Sequence, residues 1–218
     1  MCQQGLTSFD AAYSFGGYEG ALRKLIHLFK YGKIETLAGP LSRLLISAIP
    51  LDAQFDLVVA MPMHWRKQWE RGFNQAELLA APVSARYGLP LSKAFRRRRY
   101  TQAQASLTEG QRRDNLIGSF FVKRPELIRG NRVLLVDDVF TTGSTLRSAS
   151  DALKAAGAAH VTALTLARVD RKSPDEDTAF VASAGKRSRA DRVARREQDF
   201  TAVLSDSAVP GSAEVGVT

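Results

Sequence analysis

The chain has 218 residues, 44% of them hydrophobic and 24% charged, with a formal net charge of +9. That length suits one domain with an appendage, and the balance is that of an ordinary globular protein. It excludes a membrane helix, which needs about 18 consecutive apolar residues; residues 1–9 lack the basic and apolar regions of a secretory signal, and the lone Cys2 can form neither an internal disulfide nor a four-ligand zinc site.

The cytoplasm is the expected compartment. Residues 1–169 carry 23 Lys/Arg against 13 Asp/Glu, whereas residues 170–218 carry 8 against 9, so the basic part is the part expected to fold. A basic surface attracts phosphates, whether on a metabolite or along a nucleic acid.

In chain order, residues 19–30 place Leu22, Leu25, Ile26 and Phe29 on one stripe, which predicts an amphipathic helix. Residues 55–60 form a short apolar run before Pro62 and predict a buried strand. Asn74 opens a second helix: its side chain can cap, Glu77 lies three residues on, and Phe73 and Leu78 occupy staple positions. Pro82 should kink that helix or end its regular hydrogen bonding. Residues 91–108 include four consecutive arginines at 96–99. Strands are predicted at 120–122, 132–139 and 161–169. A helix is predicted over 144–156, with Leu146, Ala149, Leu153 and Ala156 inward and Gly157 as its stop. Strands alternating with helices imply an α/β fold with a mostly parallel central sheet flanked by helices, right-handed crossovers, and ligands beyond the carboxyl ends of the strands. After Asp170 the pattern fails, and residues 170–218 read as a largely disordered tail with a marginal helix around 191–204.

The most informative stretch is Val133-Leu134-Leu135-Val136-Asp137-Asp138-Val139-Phe140-Thr141-Thr142-Gly143-Ser144-Thr145. Four apolar residues bury a strand, two carboxylates stand where it emerges, and a loop of small hydroxyl residues runs into a helix start. A helix start offers unpaired N–H groups and the positive end of its dipole. Hydroxyls and a glycine beside it complete a phosphate cradle. Carboxylates next to a phosphate would repel it unless they faced hydrogen-bond donors such as sugar hydroxyls, with a metal ion nearby as an option. The plainer alternative is that Asp138 merely caps the turn. There is no Gly-Lys-Ser/Thr ending of a nucleotide P-loop.

This stretch resembles the signature of type I phosphoribosyltransferases, which bind 5-phosphoribosyl-1-pyrophosphate (PRPP). The resemblance implies that Asp137 and Asp138 hold the ribose hydroxyls and that Val139, Phe140, Thr141, Thr142, Gly143, Ser144 and Thr145 surround the 5-phosphate. It also implies a pyrophosphate loop at Met61, Pro62, Met63 and His64. Basic Arg66, Lys67 and Arg71 follow within one loop, Arg71 being a catalytic candidate. Further likeness lies in Arg71-Gly72-Phe73-Asn74-Gln75, in Arg99-Tyr100-Thr101-Gln102-Ala103-Gln104, in Arg112-Arg113-Asp114-Asn115, and in Leu28-Phe29-Lys30-Tyr31-Gly32. On these residues the chain is similar to the ComF/GntX-like family. A small basic hood or flexible loop is expected at 96–115, with Arg99, Thr101, Gln102, Gln104 and Arg112 facing the ligand and closing over it. The implied cofactor is Mg²⁺, held mainly through PRPP. The N-terminal zinc ribbon common in that family is reduced here to a remnant at 1–12, so no zinc is expected. The phosphoribosyltransferase-like domain is expected at 13–169. Three roles follow from the resemblance: an enzyme acting on PRPP or a related phosphoribosyl compound; a competence factor that handles incoming single-stranded DNA alongside competence-machinery proteins, with residues 96–99 tracking the backbone; or a PRPP-responsive regulator.

Overall fold

Val133, Leu134, Leu135 and Val136 are all fully buried, and a strand apolar on both faces must be covered on both. It therefore lies inside the sheet rather than at its edge. The computed structural model describes residues 8–32, 34–97 and 119–169. Over these residues a five-stranded sheet runs in the order β1 (Ala11–Gly17), β7 (His160–Arg168), β6 (Arg132–Phe140), β2 (Leu57–Ala60), β3 (Leu91–Ser92). Every neighbouring pair is parallel, as the alternating pattern predicted.

The chain moves one way along the sheet from β1 to β2 and β3, and the other way from β6 back to β7. Right-handed crossovers then put α1 (Gly20–Tyr31), α2 (Ala38–Ser47) and α4 (Gln75–Tyr87) on one face and α5 (Ser144–Ala155) on the other. Helices α2 and α4 pack on each other, α4 also covers β2 and β6, and α5 packs on β7. A short helix, α3 (Trp65–Arg71), lies between β2 and α4. Beside the sheet, β4 (Phe95–Arg97) and β5 (Phe120–Val122) pair antiparallel, with the Phe95 and Phe120 rings stacked 5.5 Å apart. No helix of the described residues is long and apolar enough to cross a membrane.

Most predicted elements appear within a residue or two of their expected bounds, and the differences have physical causes. Helix α4 runs past Pro82 to Gly88, whose φ of +62° ends it. Proline removes one N–H, but Leu79, Ala80 and Val83 stay fully buried and hold the helix to the sheet. Strand β1 was not foreseen because Ala11–Gly17 is rich in Ala, Gly and Ser, poor strand formers; its conformation is imposed by pairing with β7. The packed structure also starts before Tyr13. Phe9 is buried, and the Asp10 carboxylate accepts the Val161 N–H at 2.7 Å and pairs with Lys154 at 2.7 Å. Cys2 and residues 170–218 lie outside the described residues.

Candidate functional site

Strands β2 and β6 are neighbours, with Ala60 opposite Val136, so the segments leaving their carboxyl ends emerge side by side. The chain diverges here, from β2 towards β3 and from β6 towards β7. A parallel sheet opens a crevice at such a switch point. The two segments singled out by sequence, 61–64 and 137–145, meet at this crevice.

The first is fastened at Met61, through both its N–H and its carbonyl. The Met61 N–H donates to the Val136 carbonyl at 2.8 Å, and the Met61 carbonyl accepts from Asn74 Nδ2 at 3.2 Å. Asn74 Oδ1 meanwhile accepts the Ala76 N–H at 3.1 Å, so one buried side chain caps α4 and clamps the loop. The two jobs can be separated. Asn74→Ser keeps a capping oxygen and loses the donor to Met61, whereas Asn74→Ala loses both. Urea unfolding should show Asn74→Ala destabilised by about 1–2 kcal/mol for the cap plus a further ~1 kcal/mol for the orphaned carbonyl, with Asn74→Ser in between. Equal losses in the two variants would rule out a clamp separate from the cap.

Arg66, Lys67 and Arg71 belong to α3, not to a loop as the sequence suggested. Trp65 to Arg71 follow Pro62 with helical neighbours, and a seven-residue segment is too short for a stripe to declare itself. At its end, Arg71 Nη1 donates to Gln75 Oε1 at 3.1 Å, and its guanidinium lies 5.0 Å from the centre of the Tyr31 ring. Gln75 Nε2 is buried with no hydrogen-bond partner among the described residues.

Strand alternation sends Asp137 and Asp138 to opposite faces of β6. Asp138 does not cap the turn: its Oδ2 pairs with Lys30 Nζ of α1 at 2.8 Å, with the two side chains only 16% and 17% exposed. Asp137 is half-buried, and its Oδ1 accepts the Asp138 N–H at 2.8 Å. Burial first, and then the Asp138 charge, push the Asp137 carboxyl up to about 7; the Asp138 N–H, Lys30, and Arg97 on β4 oppose that rise. Asp138 Oδ1 and Asp137 Oδ2 have no partner among the described residues. Among the described residues, each acid therefore commits one oxygen to the protein and keeps one uncommitted.

Val139 and Phe140 remain in β6, opposite Ala167 and Arg168 of β7. Thr141 and Thr142 are exposed, and Gly143 precedes α5 with φ +74° and no side chain capping the helix. Thr142 Oγ1 and Ser144 Oγ are 2.8 Å apart; Thr145 lies one residue into the first turn. Gly143 has a packing reason beyond backbone approach: a Cβ there would fall 2.5 Å from Phe140 Cε2. The Phe140 ring is itself set edge-on to Phe9, 6.0 Å between centres. The Ser144 N–H leans on Thr142 Oγ1 at 3.4 Å; the other N–H groups of the first turn and the flanking hydroxyls can receive an anion, beside carboxylate oxygens that, among the described residues, are left to accept from hydroxyl groups.

Of the expected closing loop, Arg96 and Arg97 lie on β4. Arg99, Thr101, Gln102, Gln104 and Arg112 lie outside the described residues. Sequence reasoning assigned no role to Lys30. A signal was present: Lys30 continues the Leu22, Ile26 row at i+4, so a charged residue sits on a face that otherwise turns to the core.

Residues 73–187 match the phosphoribosyl transferase domain family. The DNA utilization protein YhgH of Escherichia coli strain K12 is 34% identical over 175 residues, 77% of this chain and 76% of that protein. Competence protein F of Haemophilus influenzae is 34% identical over 177 residues, again 77% of this chain and 76% of that protein. Among solved structures, the glutamine phosphoribosylpyrophosphate amidotransferase from B. subtilis aligns with a TM-score of 0.43 at 19% identity, covering 59% of this chain and 26% of that one.

Proposed function

The chain belongs to the ComF family of the type I phosphoribosyltransferase superfamily, and from that premise we propose that it binds PRPP at the carboxyl end of β6 and performs phosphoribosyl transfer or related chemistry on a phosphoribosyl compound. One observation carries this reading: two adjacent carboxylates, each with an oxygen uncommitted among the described residues, stand beside a helix start that bears hydroxyls and that its own N-cap residue, Gly143, leaves without a side-chain cap.

In this reading Asp137 and Asp138 accept hydrogen bonds from the 2′- and 3′-hydroxyls of the ribose. The hydroxyls of Thr141, Thr142, Ser144 and Thr145 and the free N–H groups of the first turn of α5 hold the 5-phosphate. Breaking the bond between C1′ and the pyrophosphate leaves positive character on the sugar and negative charge on the leaving group. Negative carboxylates near the ring favour the first, and Arg71 with the 61–64 backbone suits the second. Carboxylate oxygens are chemically apt for a hard cation, yet no group of three His, Cys, Asp or Glu gathers among the described residues. Mg²⁺ would accordingly ride on the oxygens of PRPP, where it would neutralise pyrophosphate charge. Calorimetric titration with PRPP and Mg²⁺ tests the reading: saturable micromolar binding is expected, and no heat of binding up to millimolar ligand would reject it.

A DNA-handling role is a second reading, favoured by the names of both relatives and by the excess of Lys and Arg over residues 1–169. It expects single-stranded DNA binding that weakens steeply with salt. Alanine at residues 96–99 should reduce that binding, and Asn at both 137 and 138 should leave it intact.

A further inference from the structure

Leu22 and Ile26 turn α1 to the core, and Lys30 is the next residue along that row. A lysine so placed is costly unless it is paired. Its partner is Asp138, at 2.8 Å, with both side chains more than four-fifths covered. The contact joins α1 to the one strand end where two carboxylates are adjacent in sequence. It occupies a single oxygen, Oδ2, of the outer acid.

We propose that Lys30 is a positioning residue for the acid pair: by holding Asp138 through Oδ2, it fixes that carboxylate and keeps Asp138 Oδ1 and Asp137 Oδ2 turned to accept from the vicinal diol of a ribose phosphate. The proposal rests on the PRPP reading above. Among the described residues, the charged groups acting on the pair are Lys30 from α1 and Arg97 from β4, and Asp137 also feels the charge of Asp138. Take Lys30 away, and two neighbouring acids on a largely covered strand end are left with less positive charge to offset their repulsion. Asp137, already pushed up by burial and by the Asp138 charge and held down in part by Lys30, relieves it by keeping its proton. A protonated carboxyl donates as well as accepts, and loses its match to two hydroxyl donors.

The sugar gives a direct readout. Ribose 5-phosphate and 2-deoxyribose 5-phosphate share the phosphate and differ at one of the hydroxyls assigned to the pair. The intact protein should prefer ribose 5-phosphate by about 10-fold, the worth of one hydrogen bond to a charged group. In Lys30→Met the affinity for ribose 5-phosphate at pH 7 should fall about 10-fold or more and the preference should shrink towards unity. Raising the pH should restore part of both, because Asp137 then ionises without the lysine. Lys30→Arg should keep the preference. Should the Met variant unfold, Lys30→Gln, which keeps most of the side-chain length and its polarity, serves in its place. If Lys30→Met or Lys30→Gln retains the sugar preference and its pH profile and changes only the melting temperature, Lys30 is merely structural and the inference fails alone. If the intact protein binds neither sugar phosphate, or binds both equally, the reading of the site fails and takes the inference with it.

Discussion

Replacing Asp137 and Asp138 together by Asn should lower PRPP affinity by at least about 100-fold. Each substitution removes a charged acceptor, and a hydrogen bond to a charged group contributes about 1.5–3 kcal/mol; two such losses give a factor of that size or larger. Asparagine preserves shape, so the loss is of charge and acceptor count. Titration calorimetry reads it directly, and a double variant within tenfold of the original would remove the acid pair from the site.

The same substitution separates function from stability. The Asp137 carboxyl sits at about 7 in the fold against an ordinary 3.8. Across that interval the folded state binds more protons than the unfolded state, so stability falls as pH rises from about 4 to 7, and above 7 the whole penalty is present. Asp137→Asn alone should therefore flatten this decline and melt at a higher temperature than the unaltered protein at pH 8, with little difference at pH 4. The double variant should gain less, because it strands Lys30 without its partner. Thermal melts at the two pH values decide the matter: a lower melting temperature for Asp137→Asn at pH 8 would mean that its carboxylate stabilises the fold.

Gly143→Ala should be the most damaging single-methyl change in the site. The residue sits at φ +74°, and the added carbon would fall 2.5 Å from Phe140 Cε2. Left-handed backbone costs a residue with a Cβ about 1–2 kcal/mol, and the contact adds to it by forcing the Phe140 ring from its place against Phe9. Urea unfolding should show a loss of about 2–4 kcal/mol, and phosphate-dependent binding should go with it, since the hydroxyl loop is hinged at that position. A double-mutant cycle separates the two causes. In a Phe140→Ala background the steric part disappears and the cost of Gly143→Ala should drop towards the backbone share. An unchanged cost would mean that the ring is not what excludes a side chain.

What could be read from the sequence was whatever a local rule expresses. Val133 to Val136 announce a central strand because an apolar run needs cover on both faces, and the acids and hydroxyls after it announce a strand end followed by a helix start. The α4 cap was legible because Asn74 and Glu77 obey a spacing. The unread parts depend on partners distant in the chain. Ala11–Gly17 becomes a strand only through β7. The Lys30 contact with Asp138 follows from the crossover that carries α1 over the sheet. The second role of Asn74 requires Met61, thirteen positions earlier. Helix α2 carries its signal in Leu41, Leu44 and Leu45, all fully buried and spaced for one face, with Gly39 and Pro40, weak helix formers, in its first turn.

The pairing of β1 with β7 sets the order in which the protein can be built. Asp10 and Val161 are 151 positions apart, yet each holds the other's strand in place. During synthesis the opening strand has no neighbour until nearly all of the packed region exists, and the pocket's two halves stay apart until β6 arrives beside β2. Stalled chains ending before His160 should thus remain open to protease along their whole length, and resistance should come on in a single late step once β7 can dock.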